Sequence, residues 1–302
     1  VVWEFQREFL VQVMDFLELT ADWPEASQPR WTCEVTSQVK TFLELADPED
    51  IERFTAHVRS GRIGLTAGQH NIIATLNAEQ LIRQLTEIGP LRERFGDPIT
   101  TYAQNDVNGI PWSLVDLLAD SGVELVTMAI NLYYGGCAAE RPGIFRWEGP
   151  SGREVLVCNG EHYSMFNFWG RTEKDSIPEM QAGFTEYIEM VRGEGWPHDF
   201  VYLTMTNAPF AYDNTSVERE AAELIKQWNE TGAGPTIRYV TPAMLLGRIK
   251  EIPRESLKVH RGDWTDYWTL GIACSADETR MQRRAKSVMF TSELMQAVRD
   301  DV

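Results

Sequence analysis

The chain is predicted to be an α/β protein, with a mainly parallel sheet wrapped by helices. Runs of strand length alternate with runs of helical spacing over roughly 250 residues. Its 302 residues are enough to bury a large core. No internal repeat, low-complexity tract or clear linker divides it.

The elements follow in order. Residues 3–20 carry Trp3, Phe5, Phe9, Leu10, Val13 and Phe16 at helical spacing. "PRWTCEV" (29–35) alternates apolar and polar residues as a short strand, and Ser37 or Thr41 could start the next helix. In "DPEDIERFTAHVRSGRI", Asp47 is an N-cap, Pro48 opens the helix, acids fill its first turn and Gly61 stops it. "IGLTAG" is the second strand. Residues 77–96 form a helix capped by Asn77 and broken near Gly89-Pro90. A strand from Ile99 to Gln104 runs on to Asn105-Asp106, and a helix from Trp112 to Asp120 ends before Gly122. "VELVTMAI" is a strand, and 144–160 is a hairpin turning through Gly149-Pro150-Ser151-Gly152. A surface loop at 169–178 leads into a helix at 176–193. A strand (200–207), a helix (215–230), a strand (236–240) and a helix begun by Thr241-Pro242 come next. A helical run at 278–300 closes the chain. Alternation of this kind does not separate an open sheet from a closed barrel.

Composition limits the function classes. Hydrophobic residues at 43% and charged residues at 24% describe an ordinary globular chain. No apolar run approaches the ~20 residues of a membrane span. The net charge of −17 argues against nucleic acid or an anionic membrane as partner. The opening "VVWEFQREFLVQVMDFLEL" mixes charges with helical spacing and does not resemble a signal peptide. Without an initiator Met, the chain is expected to start inside a longer one. Cys33, Cys137, Cys158 and Cys274 are scattered without a C-x-x-C pair, against a zinc finger or a disulfide framework. They are read mostly as buried thiols, compatible with a cytoplasmic location.

Chemistry is sought at strand ends, because ligands of α/β proteins bind at the carboxyl rim of the sheet. "RWTCE" ends on Glu34, "IGLTAGQHN" near Gln69, His70 and Asn71, and the third strand on Asp106. "VTMAIN" ends on Asn131 before Tyr133-Tyr134, and "VLVCNGEHY" on Glu161, His162 and Tyr163. "YLTMTNAPFAYDN" leads to Asn207 and Asp213, while "RGDWTDYW" supplies Asp263, Trp264, Asp266 and Trp268. Acids and amides bond sugar hydroxyls in pairs, and flat rings cover a pyranose face. Glycoside cleavage needs two carboxyl groups, about 5–5.5 Å apart for retention. Asp106 with Glu34, Glu161 or Asp213 could supply them. The competing readings are plain: Asp106 as a turn residue, most acids as solvated surface, and the aromatics as core. No H-x-H, H-E-x-x-H or H-x-D spacing marks a metal site.

Together, "RWTCE", "GRIGLTAGQHN", "AEQLIRQL", "RERFG", "NDVNGIPWSLVDLLADSGV", "MAINLYYGG", "RPGIFRWEGPSGREVLVCNGEHY" and "GDWTDYWTLG" resemble the catalytic domain of glycoside hydrolase family 38. The likeness is to the bacterial branch of these α-mannosidase-like proteins, over about residues 25–300. It implies a mostly parallel seven-stranded (β/α) barrel over 1–274. A helical segment at 275–302, entered through Ser275-Ala276-Asp277, would begin a helical bundle. It further implies a retaining glycosidase with a carbohydrate substrate and a zinc ion, in which Asp106 is both nucleophile and zinc ligand. The family's H-x-D pair and last ligand histidine have no counterpart here, so only Asp106 matches the ligand set. Asp213 is the expected acid/base, with Glu161 second. Glu34, Asn131, Tyr134, His162, Trp264 and Asp266 are expected to contact substrate, with Trp112 and Trp268 as further platforms. A homo-oligomer is compatible with this picture. The rival readings are a metal-dependent polysaccharide deacetylase-like hydrolase and a non-catalytic sugar-binding protein.

Overall fold

Helix α1 (Val2–Leu19) leads into β1 (Trp31–Cys33), α2 (Thr36–Leu45), α3 (Pro48–Arg59) and β2 (Ile63–Leu65). The computed structural model describes residues 2–72, 75–106, 109–130, 138–205, 217–264 and 270–300. Asp47 precedes α3 in extended conformation, Pro48 takes its first position, and Gly61 follows it at φ +70°. Asn77 and Gln80 close a reciprocal capping box on α4 (Ala78–Arg83), at 2.9 and 3.1 Å. The expected break at Gly89-Pro90 falls earlier. The helix stops at Arg83 and α5 spans Ile88–Phe95, so Pro90 lies in a first turn where its missing N–H is not needed.

The remaining elements are β3 (Thr101–Asp106), α6 (Leu114–Asp120), β4 (Leu125–Ile130), β5 (Gly143–Glu148) and β6 (Glu154–Asn159). They continue with α7 (Met165–Gly170), α8 (Ile177–Gly193), α9 (Arg219–Thr231), α10 (Pro242–Ile249), β7 (Val259–His260), α11 (Leu270–Cys274) and α12 (Ala276–Asp300).

The strands do not make the expected seven-stranded barrel. Among the described residues, β1 and β2 form a parallel pair, and β3-β4-β6-β5-β7 form a mixed five-stranded sheet. The two meet where the Ala67 N–H donates to the Thr101 carbonyl at 2.8 Å. Two causes act against closure. The tight turn at 149–152 can join only antiparallel strands, so β5 runs against β6 and interrupts the parallel order. The runs 201–205 and 236–240, apolar enough to suggest strands, enter no ladder.

Both faces of the five-stranded sheet are covered, and the alternation of its residues shows how. Val126, Phe145, Trp147, Val155 and Val157 join the main core with Leu114, Val115 and Leu118 of α6. Their neighbours Leu125, Ile144, Leu156 and Cys158 face the other way, onto Leu245, Leu246 and Ile249 of α10. A third cluster joins Phe166 of α7, Met180 and Phe184 of α8, and Leu224, Ile225 and Trp228 of α9. Cys33 and Cys158 are buried free thiols, pushed up to about 12 by burial, while Cys274 is exposed. Among the described residues, no helix is long and apolar enough to cross a membrane.

Candidate functional site

The site is built where β1, β2 and β3 end. Glu34 follows β1 directly, and its carbonyl accepts a hydrogen bond from the Thr66 hydroxyl just beyond β2. The loop after β2 is fixed by side chains. The Gln69 N–H donates to the Gln84 carbonyl at 2.8 Å, and the His70 N–H to Gln84 Oε1 at 3.0 Å. Gln104, buried on β3, pairs with the backbone of Ile72 in both directions, at 3.1 and 2.8 Å. Its Oε1 also accepts from the Tyr102 hydroxyl at 3.1 Å. This buried amide therefore fixes the loop at Ile72, one residue beyond Asn71.

Glu34 Oε1 accepts from Asn71 Nδ2 and from the Asn105 backbone N–H, both at 3.0 Å. Asp106 ends β3 at φ +64°, a left-handed conformation that Asp tolerates better than most residues. Burial raises the Glu34 carboxyl above the ordinary carboxylate range, and the Asp106 charge adds to the rise. The hydrogen bonds from Asn71 and Asn105 act in the opposite direction. Glu34, Asn71, Asn105 and Asp106 share the wall of a cleft of about 1390 Å³. Trp31, Tyr163 and Tyr202 supply aromatic surface to the same cleft. The volume exceeds the ~300–1,000 Å³ of most small-molecule sites.

The other candidates are placed as follows. Glu161 does not line the cleft. Its Oε2 lies 3.6 Å from Arg141 Nε, and its Oε1 accepts from the Tyr187 hydroxyl at 3.4 Å. Burial raises its pKa, opposed by the Arg141 charge. His162 is buried behind the cleft wall, with Nδ1 bonded to the Tyr163 carbonyl and its ring stacked on Tyr163 at 4.3 Å. A carbonyl can only accept, so Nδ1 carries the proton.

Trp264 is a core residue rather than a platform. It is fully buried, stacked on Phe145 at 5.5 Å and edge-on to Trp147 at 5.8 Å, and bridged through its backbone to Ile110. Both of its faces are taken up by protein. Trp112 is held by the Glu148 carbonyl and packs on the same core. Asn131, Tyr134, Asp213, Asp266 and Trp268 lie outside the described residues. Trp31 falls within the "RWTCE" stretch and Tyr202 within the 200–207 run, and neither is a site candidate from the sequence; the signal for each is an aromatic residue in a strand-like run.

Metal fit can be tested on the donors present. Among the described residues, no three His, Cys, Asp or Glu side chains converge closely enough to hold a metal ion. Asp106 and Glu34 supply two carboxyl groups but no nearby histidine, so the described donor set does not fit zinc by itself.

An α/β fold with acids, amides and aromatic rings gathered at the ends of parallel strands has the form of a ligand-binding site. Residues 5–263 match the family model described as Glycosyl hydrolases family 38 N-terminal domain. The chain belongs to that family, which places it among the glycosyl hydrolases. Among curated protein sequences, none matches it. An alpha-mannosidase from Enterococcus faecalis V583 shares the fold with a TM-score of 0.66 at 16% identity, over 87% of this chain and 28% of that one. The 4-alpha-glucanotransferase from Thermococcus litoralis does so with a TM-score of 0.57 at 16% identity, over 89% of this chain and 40% of that one. This chain thus spans well under half the length of either relative.

Proposed function

We propose that this chain is the catalytic domain of a retaining glycoside hydrolase of the α-mannosidase type, with Asp106 as nucleophile. The observation that carries the reading is the position of Asp106. In a member of this family, the acid ends β3 on the wall of the large cleft, beside a second carboxyl group and two carboxamide residues. In the proposed reaction, the Asp106 carboxylate attacks the anomeric carbon. The bond to the leaving oxygen breaks while that oxygen takes a proton from an acid. Water then hydrolyses the glycosyl ester, giving its proton back to the same group.

Asp213 is the proposed acid/base. Glu161 is engaged by Arg141 and Tyr187 and does not itself line the cleft, which favours that assignment over Glu161. Zinc on Asp106 stays part of the proposal through the family resemblance alone, and no step is derived through it. Metal analysis of the full-length gene product is its test.

The test of the reaction is turnover of 4-nitrophenyl α-mannopyranoside by that product, with the first-formed anomer read by proton NMR. Retention is expected, together with an ester-linked label on the Asp106 peptide after treatment with a fluorinated mannosyl fluoride. Replacing Asp106 by Asn should lower kcat by about 10³-fold or more. Inversion of configuration, or a label on another residue, would overturn the assignment. Cleavage of acetylated sugars without glycoside turnover would favour a deacetylase-like hydrolase.

A further inference from the structure

Glu34 occupies a place that in a regular sheet belongs to a strand. Within β3, Thr101, Ala103 and Asn105 turn their backbone groups toward β2, and the residues between them toward β4. The first of these is satisfied, because the Thr101 carbonyl accepts from the Ala67 N–H at 2.8 Å. By Asn105 no residue of β2 stands opposite, since that strand ended at Leu65. The Asn105 N–H is bonded instead to Glu34 Oε1 at 3.0 Å. The same oxygen receives Asn71 Nδ2 at 3.0 Å. One side-chain oxygen thus ties the end of β1 to the loop after β2 and to the end of β3, at the residue before Asp106.

Resting on the reading of Asp106 as nucleophile, we infer that Glu34 is its positioning residue. By taking the ladder position left open beside β3, Glu34 fixes the Asn105 peptide and with it the left-handed turn that aims the Asp106 carboxylate. The role is one of geometry at Oε1. A neutral acceptor at the same place serves it, and a carboxylate at a different place does not.

Three variants of the full-length protein separate this from other roles. Glu34→Gln keeps an acceptor oxygen within reach of both donors. Glu34→Asp keeps the charge but withdraws the oxygen by one methylene, and Glu34→Ala removes it. Expected on the aryl α-mannoside is a fall in kcat of roughly 10–100-fold for E34A and E34D, with KM within about threefold of wild type. E34Q should return to within about threefold of wild type. Rates are taken per folded molecule, so a loss of stability alone moves none of them. If E34A does not fold, the comparison of E34Q with E34D decides alone.

An E34Q enzyme as impaired as E34D, or an E34D enzyme as active as wild type, would overturn the inference. Hydrogen exchange at the Asn105 amide provides a readout independent of turnover. Exchange should be about tenfold faster or more in E34D and unchanged in E34Q. If the protein turns over no α-mannoside, the proposed function fails. Exchange at Asn105 then still shows whether Glu34 holds that strand end, and equal exchange in all variants would refute it.

Discussion

Asp106 sits at φ +64°, where a β-carbon is crowded by its own backbone, and only Gly, Asn and Asp enter this region readily. Substitution there tests two properties at once unless the replacement shares the conformational tolerance. Asn does, and it has nearly the size of Asp, so Asp106→Asn isolates the charge. Asp106→Ala adds the cost of a left-handed alanine, about 1 kcal/mol or more. Both variants are expected to lack turnover, and only D106A should lose stability by that amount in urea unfolding. Trp264 presents the opposite case, with no exposed surface to offer a ligand. Removing a buried Trp from a packed core costs about 3–5 kcal/mol. Trp264→Ala is therefore expected to be severely destabilised. Trp264→Phe should keep KM for the glycoside within about twofold, because the ring stands on no substrate path. A KM raised much further in a well-folded W264F enzyme would restore the platform reading.

The contacts between elements explain both what the sequence revealed and what it hid. Arg53 on α3 donates to Asp15 and Glu18 on α1, at 2.6 and 2.9 Å, and to Asp50 one turn back at 2.9 Å. Its bonds hold the Glu18 carboxyl below the ordinary carboxylate range. A lowered carboxyl contributes stability that is present above the unfolded value and is lost as pH falls through the folded one. Because these groups are largely solvated, Arg53→Ala should cost only about 1 kcal/mol at pH 7. The deficit should shrink below about pH 4 and in 1 M salt, as followed by urea titration. A deficit independent of pH would mean that packing of the Arg53 stem carries it.

Local signals of this kind were legible in the chain itself. The Asn77 box, the Asp47-Pro48 start and the 149–152 turn depend on neighbours a few residues away. So was the placing of acids and amides at strand ends, and Glu34, Asn71 and Asp106 line one cleft. Edge pairing was not legible, because periodicity places side chains on faces but does not say which strand lies beside which. The 149–152 turn specifies the hairpin, but the place of that hairpin in the sheet depends on β4 and β7, which are distant from the turn in the chain. The fate of Trp264 was hidden for a related reason. Aromatic residues serve equally as core and as platform, and only Phe145 and Trp147, far away in the chain, decide between the two.

At the scale of the whole molecule, α12 stands apart from the cores. Among the described residues it is anchored by Lys286 donating to the Thr75 carbonyl at 2.7 Å and by Thr279 at its start. Met281, Val288, Met289, Phe290, Leu294, Met295 and Val298 are all more than half exposed along it. A helix that buries so little apolar surface adds little to folding stability, and its exposed side chains favour association. Residues 276–302 contain five basic and five acidic residues, so ending the chain at Ser275 leaves the net charge at −17. Charge repulsion is thus the same in both forms, and any change in colloidal behaviour comes from the apolar surface alone. The shortened chain is expected to keep its Tm within about 2 °C, because a loss of under roughly 1 kcal/mol shifts a domain of this size by no more. It should also show less concentration-dependent light scattering. A drop of many degrees would instead mean that α12 is part of the folding unit.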